Sequence, residues 1–290
     1  MSARIKLSKS IFDKALNKEA TNYLGLSIQL STDGFSFCIL NPKEAKYLAL
    51  QSYKFKDSSN QMALSQLLDE LIPSVDWLNL PYEGVKILME THKSTLVPHA
   101  FYDSEYSKEQ FAFNATINKD DILLNDYLPL LDAINVWLIN GKLYDTIIKY
   151  FPLAVIHNHG SVLIESALAL ANSHREETPV FTHVRKNWFD VVVINNGKLV
   201  FYNSFRYKAK EDFIYFLIYV LEQLELNPDV IQLYLLGEVL KISEIYDITM
   251  MYIRNVSFAL PFDNVSFGFN LGDIPLHFYF NLLNHYQCEL

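Results

Sequence analysis

The most conspicuous group of chemistry-bearing side chains is His157-Asn158-His159-Gly160. In an extended segment, residues two apart point to the same side, so both imidazoles could reach one metal ion. No third ligand stands nearby except Glu165, on the helix that follows. Polar residues at a strand-to-helix junction are therefore expected at His157 and His159, with metal ligation as the alternative. Gly160-Ser161 opens that helix, and a helix N-terminus can receive an anion. Arg185-Lys186 is a second polar point, able to hold an anion without metal or simply to face water. Cys38 and Cys288 lack close spacing, so free thiols in a reducing compartment are expected, not a disulfide or a metal pair. No Gly-x-Ser-x-Gly elbow, Walker A loop, dinucleotide-binding glycine pattern or His-Glu-x-x-His helix occurs.

The elements that position these groups can be read from periodicity and turn residues. Tyr23 to Leu30, Phe35 to Leu40 and Tyr47 to Phe55 read as three strands, the first two joined at Thr32-Asp33-Gly34. A helix from Gln61 to Ile72 follows, with Met62, Leu64, Leu67, Leu68 and Leu71 on one face. Val85 to Met89 is a strand, and 102–126 a polar, peripheral insertion. Ile134 to Ile139 and Leu153 to Ile156 read as strands, with a helix between them and another from Ser161 to Asn172. After a compositional break at Asn172 to Thr178 the theme returns as strands at Val180 to Arg185, Phe189 to Ile194 and Lys198 to Tyr207. Asn195-Asn196-Gly197 suits a type I′ hairpin. Helices at 211–226, 238–251 and 276–287 and strands at 230–236 and 254–258 complete the reading. Two halves, 1–172 and 179–290, are thus expected.

The third strands of the two modules end alike, in Gln51-Ser52-Tyr53-Lys54-Phe55 and Asn203-Ser204-Phe205-Arg206-Tyr207. Both read amide, Ser, aromatic, basic, aromatic, and each triplet of strands is followed by a helix and then a strand. Internal repetition of this kind defines a fold more firmly than any single element. With these modules the chain resembles the actin-like ATPase superfamily, most closely the bacterial actin-like proteins of cell division and pilus assembly. The run Val191 to Phe201 is similar to the second-half hairpin of those proteins. The chain also resembles an uncharacterised Bacteroidota family with an actin-like fold. The resemblance implies an α/β fold of two ribonuclease-H-like halves, each a mixed sheet opening with three antiparallel strands and covered by helices.

The resemblance also says where chemistry should lie. In catalytic members ATP phosphates sit between two hairpins, one per half, each carrying Asp followed closely by Gly; Asp orients Mg²⁺ and water, and Gly lets backbone N–H groups approach the phosphate. Here Ser27 and Gln29 stand near those positions in the first half, and His183 and Arg185 in the second. Asp33-Gly34 lies at the turn and Asp190 in the return strand, so neither restores the pattern. Of the paired glycines of the adenosine-binding turn, Gly237 remains. No catalytic residue and no cofactor are therefore expected, with ATP and Mg²⁺ binding at this degenerate cleft as the alternative.

The formal net charge of −9 repels phosphate backbones and anionic membranes, so nucleic-acid binding is not expected. The charged N-terminus has no signal-like apolar block, and the run Phe213 to Leu221 is far short of the roughly 20 residues of a bilayer span. A cytoplasmic setting is expected. The aromatic block Phe213 to Tyr219 is apolar on several helical faces, as burial between layers or at a subunit interface requires. Together these readings point to a non-catalytic protein that binds a protein partner or itself. A divergent ATPase or phosphotransferase, or a nucleotide sensor that does not hydrolyse, is the alternative.

Overall fold

Short β-branched and aromatic runs alternating with amphipathic helices demand a mixed sheet with helices packed on it. The computed structural model describes residues 4–56, 61–174, 178–262, 264–268, 271, 274–288 and 290. Residues 57–60, between the third strand and the helix of the first module, and 175–177, in the compositional break, lie outside the described residues. The chain divides into two units, one of Met1–Val162, Asp263–Ile274 and Leu282–Leu290, the other of Leu163–Phe262 and Pro275–Asn281.

The first unit begins with β1 (Ile5–Phe12), β2 (Gly25–Leu30), β3 (Gly34–Asn41) and β4 (Lys46–Phe55), followed by α1 (Gln61–Leu71) and β5 (Gly84–Met89). β2, β3 and β4 form an antiparallel meander, and the hairpin at Gly34 is closed by Ser31, whose Oγ accepts from the Gly34 N–H at 3.0 Å. β5 lies parallel to β2 on its other side. Alternation sends Leu26, Ile28 and Leu30 into a core with Phe35, Phe37 and Ile39, which α1 covers with Leu64, Leu67, Leu68 and Leu71. β1 was not legible beforehand. Its stretch Lys6 to Ser10 is exposed, so it lacks a clean apolar alternation, yet it pairs antiparallel along β4.

Next come β6 (Ser94–Pro98), α2 (Ser107–Ala112), β7 (Asp121–Leu128) and β8 (Ala133–Asn140). These strands form a separate sheet in the order β6-β8-β7, with Val97, Phe111, Ile134, Val136 and Leu138 as its own small core. The polar segment expected as an insertion therefore holds α2 and most of β7. α3 (Gly141–Tyr150) brings Leu143 and Ile147 to the main core, and β9 (Val155–Asn158) joins parallel to β5 before α4 (His159–His174). The order of the main sheet is β1-β4-β3-β2-β5-β9.

The second unit holds β10 (Pro179–Val184), β11 (Trp188–Asn195), β12 (Lys198–Arg206), α5 (Lys210–Gln223), β13 (Gln232–Gly237), α6 (Glu244–Tyr252) and β14 (Asn255–Phe258). Asn196 and Gly197 turn with φ of 48° and 72°, the pair of positive angles a type I′ turn needs. The sheet order is β12-β11-β10-β13-β14, with β13 and β14 parallel to β10. This repeats β4-β3-β2-β5-β9 in both order and direction. Phe213, Leu217, Val220 and Leu221 of α5 pack on Val180, Phe189, Val191 and Val193. α6 starts later than its apolar residues suggested, because Ser243 Oγ accepts from the Tyr246 N–H and caps it there.

β15 (Ser266–Phe267) adds to β4 in the first unit. The expected closing helix is shorter than 276–287, a 3₁₀ turn at Leu276–Tyr279 leading into α7 (Phe280–His285). Both cysteines are buried free thiols. Among the described residues, no helix is long and apolar enough to cross a membrane.

Candidate functional site

Opposite the apolar residues of β2, alternation places Gly25, Ser27 and Gln29 on the other face of the strand. Ser27 is buried, and its Oγ lies 3.1 Å from His285 Nδ1. His285 Nε2 in turn lies 2.9 Å from His157 Nδ1. With both rings neutral the chain can run either way: Ser27 donates to His285 and His285 Nε2 to His157, or His157 Nδ1 donates to His285 and His285 Nδ1 to Ser27. Burial enforces that neutrality. It pushes the His157 imidazole down to about 4, helped by the nearby Lys86 charge, and holds His285 well below its ordinary value. Lys86 reaches the carbonyls of His285, Tyr286 and Cys288 at 3.4, 3.1 and 2.9 Å, gripping the segment after α7. Gln29, partly exposed, donates from Nε2 to Glu90 Oε1 at 2.5 Å.

His159 does not join His157. β9 ends at Asn158 and α4 begins at His159, so the strand rule of alternate residues fails across the junction, and His159 Nδ1 accepts from the Thr91 N–H at 3.3 Å. The start of α4 is served by the protein itself. Asn158 Oδ1 accepts from the Gly160 N–H at 2.7 Å, while Asp126 Oδ2 accepts from the Asn158 N–H at 2.8 Å and from Ser161 Oγ at 2.5 Å. An internal carboxylate thus takes the place of an external anion. Burial outweighs these hydrogen bonds and raises the Asp126 carboxyl to about 6. Among the described residues, no group of three His, Cys, Asp or Glu side chains is arranged to hold a metal.

In the second unit the register of the β10–β11 hairpin sets His183 directly opposite Asp190. Asp190 is fully buried and sits 3.3 Å from His183 Nδ1, with Arg185 Nη2 3.1 Å from its carboxylate. Ser204 donates to the same carboxylate from β12, and the Tyr207 hydroxyl donates to the Arg185 carbonyl at 2.6 Å. Burial lowers the His183 pKa against the pull of Asp190, so the neutral ring donates from Nδ1 to a group that can only accept. Arg185, read from sequence as a possible anion holder, spends its charge on Asp190.

Gly237 ends β13 beside this cluster with φ of +84°, and a Cβ there would stand 2.1 Å from the Val184 carbonyl oxygen. Only glycine fits, whatever the turn binds. The structure therefore gathers His183, Arg185 and Gly237 in one unit, and Ser27 and His157 in the other, with Gln29 and His159 on bonds of their own. Sequence reasoning passed over Asp190 and missed His285, Lys86 and Asp126. The short Lys186-Asn187 turn, which joins β10 to β11 and so sets His183 opposite Asp190, was the signal that could have found Asp190. No local pattern announces a residue that arrives from 128 or 258 positions away, as His285 does.

Residues 13–256 match a family model described as Protein of unknown function (DUF3822). A crystal structure from Bacteroides thetaiotaomicron VPI-5482, of a protein with actin-like ATPase fold and unknown function, is similar over 84% of this chain and 93% of that one. Its TM-score is 0.74 at 27% sequence identity. The PilM–PilN type IV pilus biogenesis complex contains a chain similar in fold, with a TM-score of 0.59 at 10% identity over 90% of this chain and 96% of that one. No curated protein matches at a significant level. The fold is actin-like.

Proposed function

This chain belongs to the DUF3822 family, and we propose that it is a non-catalytic actin-like protein that acts by binding a protein partner. One observation carries the reading. The residues standing where the superfamily uses an acid, Ser27 and His183, are buried and committed to internal partners. Mg²⁺ requires oxygen ligands, ionised ones above all, with room for water. A buried hydroxyl bonded to an imidazole does not fit that demand, nor does an imidazole bonded to a carboxylate. Asp190 has the right charge, but drawing it away would leave Arg185 without its buried counter-ion, at a cost of roughly 3–5 kcal/mol. Gly237 adds no support for nucleotide, since backbone geometry alone requires it.

Several features support the rest of the reading. The shared strand order of the two sheets, with the matched endings at Phe55 and Tyr207, favours descent from one duplicated unit. Buried free thiols at Cys38 and Cys288 suit a reducing, cytoplasmic setting. The fold occurs in at least one solved protein–protein complex, PilM–PilN. The test is ATP turnover with and without Mg²⁺, paired with calorimetry of ATP and ADP. Neither turnover nor binding is expected. Mg²⁺-dependent turnover lost in Asp190→Asn would overturn the reading in favour of an ATPase, and tight binding without turnover would replace it with a nucleotide sensor.

A further inference from the structure

The two sheets share an order, but their third strands differ at the outer edge. In the first unit β1 covers β4, pairing from Ile5 opposite Phe55 to Phe12 opposite Ala49. Gln51 reaches across and donates to Ser10 Oγ at 3.0 Å. Under that cover Ala49, Gln51, Ser52, Tyr53 and Phe55 are all buried. In the second unit β12 is last in the order, and among the described residues no strand pairs with its outer edge. The matched residues show the difference. Asn203, the counterpart of Gln51, is exposed and accepts locally, from the Ser204 N–H, while Phe201, Phe205 and Tyr207 are half-buried.

An exposed edge is normally guarded by charge. On β12 the charges stand at the ends, Lys198 and Arg206, and residues 199–205 carry none. Phe201 and Phe205 stack near-parallel there, and Phe205 stacks on Phe216 of α5, presenting a column of rings at the rim. Pairing of β12 with its own copy, antiparallel along its whole length, would set Lys198 opposite Arg206, and like charges directly opposite destabilise a ladder. The ends instead suit acidic side chains.

We propose that the outer edge of β12 is a strand-addition site. Its occupant is an extended segment of a partner protein that pairs antiparallel to β12 as β1 does to β4. That segment sets apolar side chains beside Phe201 and Phe205 and acidic ones beside Lys198 and Arg206. The proposal rests on the reading of the chain as a partner-binding protein and gives that reading a surface.

The probe is a synthetic peptide of residues 5–13 carrying Lys6→Glu, which by analogy with β1 sets its glutamate opposite Arg206. Added to the full chain, it is expected to slow amide hydrogen exchange across 201–206 by about tenfold or more at saturation. Arg206→Glu should weaken this peptide and strengthen the unaltered one, each by roughly two- to fivefold as cross-strand charge pairs do. Because Arg206 is exposed the variant should fold, and the two peptides can be compared on the unaltered protein in any case. Absent protection, protection confined to β4, or equal affinity for both peptides overturns the site. So does concentration-dependent protection without peptide, which would make a second copy the occupant. Turnover of ATP in the same sample bears on the non-catalytic reading alone, so the two failures are distinguishable.

Discussion

Asp126 shows how burial decides the behaviour of a single group. Its carboxyl accepts two hydrogen bonds at the start of α4, both of which favour the charge, yet burial raises its pKa from 3.8 to about 6. A carboxyl raised in this way stabilises the fold fully below its unfolded pKa, and the contribution is lost as pH rises through the folded one. The difference corresponds to roughly 3 kcal/mol. Urea unfolding at a series of pH values should therefore show Asp126→Asn gaining on the parent protein between about pH 4 and pH 7. A difference between the two that stays flat with pH would exclude the assignment. The neutral histidines act in the opposite sense. With folded pKa values depressed, the stability they lend is present above the ordinary histidine value near 6.5 and lost as pH falls towards about 4.

At the scale of elements, the segment after α7 is held against β2 and β5 by shape as much as by bonds. A Cβ on Gly25 would stand 2.2 Å from the Tyr286 ring, whereas one on Gly84 would meet only the Tyr286 hydroxyl, at 3.5 Å. Gly25→Ala should cost roughly 1–3 kcal/mol by pushing the ring away, and Gly84→Ala much less. Limited proteolysis near residue 286 should rise in the first variant only; equal effects would mean that the ring does not rest on Gly25. None of this packing was legible in the sequence, because it joins strands to a segment some 200 residues later. What was legible was local. The glycine turns at Gly34 and Gly197 gave the hairpins, and apolar spacing gave α1 and α5. Charge hid β1 and β7, since strands with lysines and aspartates do not alternate cleanly, and the Ser243 cap shortened α6. In the candidate sites, Ser27 and His183 were named from the resemblance; His285, which meets Ser27, comes from 258 residues away, whereas Asp190, which meets His183, lies seven residues on in the same hairpin.

One large core lies around β2–β4 with α1 and α3, and another around β10–β13 with α5. Gly237→Ala should test their independence, because strain at a positive φ with a carbonyl at 2.1 Å should cost at least about 2 kcal/mol within the second unit. Hydrogen exchange is expected to speed up in β10, β11 and β13 and to stay slow in β2, β3 and β5. If both sheets lose protection together, the cores unfold as one. The order of the chain has a further consequence, for synthesis. Residues 282–290 belong to the first unit, yet they leave the ribosome after the whole of 163–262. Until they emerge, Ser27 lacks His285, the Tyr47 hydroxyl lacks the Leu283 carbonyl, and Lys86 lacks the backbone it grips. Of the two sheets, the one translated earlier is therefore completed later, and the nascent chain must carry that unfinished face while residues 163–262 are made.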